Sequence, residues 1–137
     1  MSWTKKQFIK KAFGEIGYTS YDYDLQPEQF QDALSTLDAM MAEWNAAGIR
    51  IGYPLISTQS DSELETETSV PDSAVRAIYT NLSVSIAPSL GKMVSSETKS
   101  AASVGYKRLF SISTMPNEQQ ITELPRGAGA KAFDNVN

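Results

Sequence analysis

Between Pro27 and Gly48, the apolar residues Phe30, Ala33, Leu34, Leu37, Met40, Met41 and Trp44 recur at intervals of three and four. Only an α-helix, at 3.6 residues per turn, gathers such positions onto one face, so this stretch predicts a helix of about five turns. Pro27 suits the first helical position, where its missing N–H leaves no bond unmade. Glu28 lies near the positive end of the helix dipole, and Gly48 supplies the stop. The opposite face carries Gln31, Asp32, Thr36, Asp38, Glu43 and Asn45 and reads as the solvent side. Met40, Met41 and Trp44 could form a soft binding patch, but helical spacing favours a place in the core.

The other segments repeat this logic less strongly. Thr4 and Gln7 fit a capping box, with Trp3 and Phe8 as the hydrophobic staple around it. Phe8, Ile9, Ala12, Phe13 and Ile16 form the apolar face of that first helix, and Gly17 ends it. A third helix is expected from Pro71-Asp72-Ser73, burying Val75, Ile78, Tyr79, Leu82 and Ile86 until Pro88 and Gly91 interrupt it. A fourth lies between Met93 and Ser113, with Ala102, Tyr106, Leu109 and Phe110 as its apolar side. Its serine and threonine content gives it weak intrinsic helicity.

Between the second and third helices the pattern changes. Ile49 to Ser57 is rich in β-branched and aromatic residues and is broken by Gly52 and Pro54, which suits a short strand. Thr58 to Ser69 is polar, with Asp61, Glu63, Glu65 and Glu67 at alternate positions, and suggests a long exposed hairpin or loop of the kind that makes contacts. Beyond Thr114 there are two prolines, two glycines and no periodicity. That segment is too poor in apolar groups to fold alone, so it is either an arm that orders on a partner or a frayed tail. The fold class is therefore all-α: a four-helix domain over 1–114, a long loop between helices two and three, and an extended arm over 115–137.

Composition removes whole classes of chemistry. The chain has 137 residues, no cysteine and no histidine. Disulfides, thiolate metal sites, Ser-His-Asp triads and imidazole–zinc chemistry are thereby excluded. The net charge of −4, without a cluster of Lys and Arg, argues against a grip on duplex DNA. No apolar run approaches the ~18 residues of a membrane span, and the start lacks a signal-peptide core.

The remaining motifs are weak. Ser96-Glu-Thr-Lys99 has the S-x-x-K spacing of penicillin-recognising enzymes, but the S-D-N and K-T-G elements are missing. Asp22-Tyr-Asp24 and the acids from Asp61 to Glu67 lack the glycine and terminal glutamate of a calcium loop. Glu15, Asp38 and Glu43 could in principle supply a glycosidase pair, as could many pairs among sixteen acids. Arg126 to Lys131 has glycines and a lysine but not the G-K-[ST] ending of a phosphate loop. No cofactor is implied.

Taken in order, several blocks resemble a known family. Leu37-Asp-Ala-Met-Met-Ala-Glu-Trp44 with Gly48-Ile and Gly52-Tyr is similar to the second-helix region of the tail accessory factors of short-tailed phages. These are also called packaged-DNA stabilisation or head-completion proteins. Ala74-Val with Ala77, Asn81-Leu82, Ile86-Ala-Pro88 and Gly105 follow in the same order, as does a late arm, Leu124-Pro-Arg-Gly-Ala-Gly129. The resemblance implies a virion protein without enzymatic activity. Such a protein forms a twelve-subunit ring beneath the portal, extends the DNA channel, retains packaged DNA and offers a platform to tail and nozzle proteins. Double-stranded DNA would pass without specific binding, and no membrane is involved. By position, Leu124, Pro125, Arg126, Gly127, Ala128, Gly129, Lys131 and Phe133 would contact the portal. Ile51, Tyr53 and Leu55 are the expected contacts between subunits. This chain ends sooner after the arm than better-known members do.

Overall fold

Four α-helices and one 3₁₀ turn make up the regular structure of the computed structural model, which describes residues 2–18, 25–55 and 63–114. The helices are α1 (Lys5–Glu15), α2 (Pro27–Ala46), α3 (Asp72–Ile86) and α4 (Ser96–Thr114), with the 3₁₀ turn at Pro88–Leu90. The 115–137 segment, and with it every residue expected to touch the portal, lies outside the described residues.

The ends of α1 and α2 form as local chemistry dictates. The Gln7 N–H donates to Thr4 Oγ1 and the Thr4 N–H to Gln7 Oε1, completing the capping box. Trp3 and Phe8 meet with ring centroids 5.2 Å apart. Past the last turn of α1, the Tyr18 N–H bonds Phe13 O and the Gly17 N–H bonds Gly14 O. This six-to-one and five-to-two pattern places its turning residue at positive φ, and Gly17 has φ 100°. The same pair of bonds closes α2, from Ile49 to Trp44 O and from Gly48 to Asn45 O, with Gly48 at φ 103°. A second capping box, Gln26 with Gln29, opens α2.

The centre of the bundle is α3. Ala74, Val75, Ala77, Ile78, Thr80, Leu82, Ser83 and Ile86 are all buried, and together they cover nearly its whole circumference. A helix buried all round needs its polar side chains satisfied internally. Thr80 Oγ1 donates to Arg76 O at 2.7 Å and Ser83 Oγ to Thr80 O at 2.7 Å. On one flank, Tyr79 stacks on Trp3 beside α1, with centroids 6.4 Å apart.

On the other flank, α4 runs antiparallel to α3. Asn81 Nδ2 donates both to Ala77 O and, across the interface, to Ala102 O at 3.0 Å. Arg108 reaches Ser73 O at 3.4 Å. Between them Gly105 sits on Ala77: a Cβ at position 105 would lie 2.8 Å from the Ala77 Cβ. The weak helix former α4 is thus held by close backbone approach and one amide bridge. The expected apolar side adds to this: Ala102 and Leu109 are buried, and Tyr106 packs against the core.

Three expectations are corrected. No strand forms at 49–55; among the described residues extended pairing is limited to a single antiparallel bridge, Thr4 with Glu67. The β-rich composition there serves burial of Ile49 and half-burial of Ile51 and Tyr53 against the helices. The second limb is not a free loop either. Over 63–70 the acids point outward while Leu64, Thr66, Thr68 and Val70 turn inward. Backbone bonds run from the Lys5 N–H to Thr66 O, from the Lys6 N–H to Leu64 O and from the Thr68 N–H to Trp3 O. The free N–H groups at the start of α1 are therefore met by this strap. Phe110, expected in the core, is 40% exposed and stacks on Tyr106.

Candidate interaction surface

The cluster at the base of the 49–55 loop begins with two charges, of which Asp38 is the one that helical periodicity assigns to solvent. Lys5 and Asp38 are buried, with side chains 1% and 8% exposed, and Lys5 Nζ lies 3.0 Å from Asp38 Oδ1. Tyr53 donates its hydroxyl to the same oxygen at 2.5 Å. The ammonium also lies 4.9 Å from the centre of the Tyr53 ring, within range of a cation–π contact. Asp38 Oδ2 accepts no hydrogen bond from a described protein group. Burial, then the hydrogen bond to Asp38 and its negative charge, push the Tyr53 phenol well above its ordinary value. The cluster ties α1, the middle of α2 and the loop at one point.

That clasp decides what the three expected inter-subunit residues can do. Tyr53 is committed to Asp38, and Ile51 is half-buried against the core. Leu55, 46% exposed, is the one of the three that presents a large surface outward. All three line a shallow hollow with Met41, Asn45 and Ile49. Gly52 lets the loop cross the returning strap: its φ is 85°, and a Cβ there would lie 2.7 Å from Ser69 O. The Ser69 N–H bonds Gly52 O at 3.0 Å.

Exposed apolar side chains concentrate on α4. Val104 and Ile112 are each 61% exposed, and every residue from Phe110 to Ser113 is exposed, so the helix outruns the bundle beyond Leu109. Sequence reasoning gave this face no role, because isolated apolar residues in a serine-rich helix carry little periodic signal. A signal was present in the valine and isoleucine eight residues apart with Arg108 midway.

The candidate catalytic groups do not assemble. Asp38 is engaged by Lys5 and Tyr53, Glu15 accepts a hydrogen bond from Thr98 at 3.1 Å, and Glu43 is exposed on α2. None of the three lines the loop hollow or the second hollow, formed by Phe13, Asp32, Ala33, Thr36, Ile86 and Leu90. Ser96 and Lys99 lie exposed in the first turn of α4, while Thr98 between them turns inward. The Thr98 N–H donates to Ser95 Oγ, a helix-opening bond. Among the described residues, no group of three or more Asp or Glu side chains is placed to hold a metal ion, and no helix is long and apolar enough to cross a membrane.

Taken together, the buried central helix, the pinned loop and the outward-facing α4 define a small all-α module. The chain belongs to the P22 tail accessory factor family, whose profile matches residues 1–137. Membership gives it a structural role in the virion of a short-tailed phage.

Proposed function

We propose that this protein is the head-to-tail adaptor of its phage: a ring of copies that docks beneath the portal, continues the DNA channel, retains the packaged genome and carries the tail. The observation that carries this reading is the extent of the family match, which runs through residue 137 and so takes in the segment after α4. Leu124 to Gly129, Lys131 and Phe133 are the portal-contacting residues in this scheme. A net charge of −4 fits a conduit for DNA, since like charge lets phosphates slide rather than stick. A body braced by four helices fits a part that must transmit load without rearranging, with binding assigned to its periphery.

The test is reconstitution. The purified protein, mixed with portal rings of the same phage, should form a complex visible by cryo-microscopy as an added ring. Removing residues 115–137 should abolish that complex while leaving the helical signal and melting temperature of the body intact. Full-length protein that never binds the portal would sink the proposal, and undiminished binding by the truncated chain would remove the arm from it.

A further inference from the structure

The surface charges of the helices are segregated by sign. α2 carries Glu28, Asp32, Asp38 and Glu43 and no basic residue. Apart from the buried Asp38, these acids are exposed, on the same face as Ala39, Ala42 and Ala46. α4 carries Lys99, Lys107 and Arg108 against a single acid, Glu97. The ion pairs among the described residues are Lys5–Asp38 and Lys6–Glu65, so among those residues the outer charges of α2 and α4 meet no charge of opposite sign, and Arg108 donates to the Ser73 carbonyl. The α2 face thus presents acids among alanines, and the α4 face presents cations around Val104, which is 61% exposed.

The two faces point in different directions. Tyr106 of α4 meets α2 at Trp44, with ring centroids 5.3 Å apart. Trp44 is on the buried side of α2, so the acidic and alanine face turns away from α4. On α4, Ala102, Gly105 and Leu109 face inward, and Val104, Lys107, Arg108 and Ser111 face outward. The acidic and basic faces of one subunit therefore cannot meet each other, but each can meet the other's counterpart on a second copy.

We infer that the outer face of α4, centred on Val104, Lys107 and Arg108, docks on the Asp32–Ala39–Ala42–Glu43 face of α2 in a neighbouring copy. Alanines let the helices approach closely, and Val104, 61% exposed in the subunit, loses water there. Asp32 and Glu43, about 16 Å apart along the axis at ~1.5 Å per residue, bracket the contact as acceptors for the two cations. Because the patches differ, the contact is head-to-tail and leaves each subunit with one free patch of each kind, the geometry that propagates until a ring closes. Opposite charge sets the register and speeds encounter. This inference deepens the adaptor reading above and rests on it for the ring.

Two experiments test it on the full chain. The protein has no cysteine, so Val104→Cys and Ala42→Cys can be introduced singly and together, and oxidised in the presence of portal rings. The double variant should give a ladder of species beyond the dimer, and each single variant should give none. Portal binding without a ladder overturns the interface and leaves the adaptor role standing. A ladder without portal binding does the reverse, and a dimer from either single variant shows a symmetric contact instead and also overturns it. In the second experiment, K107E/R108E and D32K/E43K should each weaken self-association, measured by sedimentation at high concentration and on the portal, by about tenfold or more. Mixing the two should restore association, since the two reversed faces match each other and so do the two unaltered ones, giving alternating assemblies larger than a dimer. Association unchanged in either variant, or no recovery on mixing, overturns the proposal.

Discussion

Replacing Lys5 with methionine tests whether the buried ion pair organises the fold. The side chain is 1% exposed, and methionine keeps most of its volume, so packing changes little. What is lost is the cation 3.0 Å from Asp38 Oδ1, leaving a carboxylate 8% exposed with the Tyr53 hydroxyl as its one described partner. Removing one member of a buried pair typically costs ~3–5 kcal/mol, because the stranded charge is still desolvated. For a domain of this size each kcal/mol lowers Tm by roughly 4 °C, so Lys5→Met should melt about 12–20 °C lower. Asp38→Leu strands the ammonium and should cost a similar amount. The double variant K5M/D38L should lose less than either single one, since no charge is then buried. It still orphans the Tyr53 hydroxyl, at ~1–3 kcal/mol, and adding Tyr53→Phe should recover that part. Urea unfolding at neutral pH, followed by circular dichroism, measures all four variants. Single variants that each cost under ~1 kcal/mol, or a double whose cost is the sum of the singles, would refute the argument.

Tyr53→Phe alone carries a signature in pH. The folded state holds the phenol protonated above its unfolded value, so stability is unaffected below an unfolded value of about 10 and falls as pH rises through it. The fall approaches ~1.4 kcal/mol per pH unit for this one group. The phenylalanine variant should show a shallower alkaline decline in urea midpoint, and an unchanged slope would contradict the assignment. Gly105→Ala gains ~1 kcal/mol in helix propensity but drives a methyl to 2.8 Å from the Ala77 Cβ, so a net loss of ~1–2 kcal/mol is expected, recovered by A77G in the same chain. Thermal melts decide this, and a stabilised single variant would show that α3 and α4 simply move apart. Thr4→Ala removes the side-chain acceptor for the Gln7 N–H and should cost ~1 kcal/mol, read from the same melts.

What the sequence discloses and what it hides divide along a physical line. Caps, stops and apolar stripes depend on residues within one or two turns of each other, so Thr4 with Gln7, Gly17, Pro27 and Gly48 act in the structure as their neighbours require. Leu37, Met41, Trp44, Ile78 and Leu82 are buried for the same reason. Asp38 and Lys5 defeat that reasoning because their partner groups are 33 residues apart. Each alone, on an otherwise amphipathic helix, belongs in water. The α3–α4 contact is hidden differently: it is made of Ala77, Gly105 and an asparagine bridge, and small or polar residues do not register as a hydrophobic face. The outward acids over 63–67 were visible as an alternation, yet the inward Leu64, Thr66 and Thr68 have too little bulk to announce a docked strap. Of the expected contact residues, Leu55 is at the surface as a contact would need, whereas Tyr53 is taken up by Asp38.

The pinned loop also bears on how such a protein can diverge. Tyr53 is anchored to Asp38, Ser69 to Gly52 and Thr66 to Lys5, so the described chain on either side of residues 56–62 is held to the body at fixed points. With Tyr53 and Thr66 held by the body, closure entropy is the term that an insertion or deletion along the length of chain between them would change. Doubling that length adds only ~0.6 kcal/mol. A change in the number of residues between these held points would therefore cost little and leave the caps, the clasp and the strap as they are.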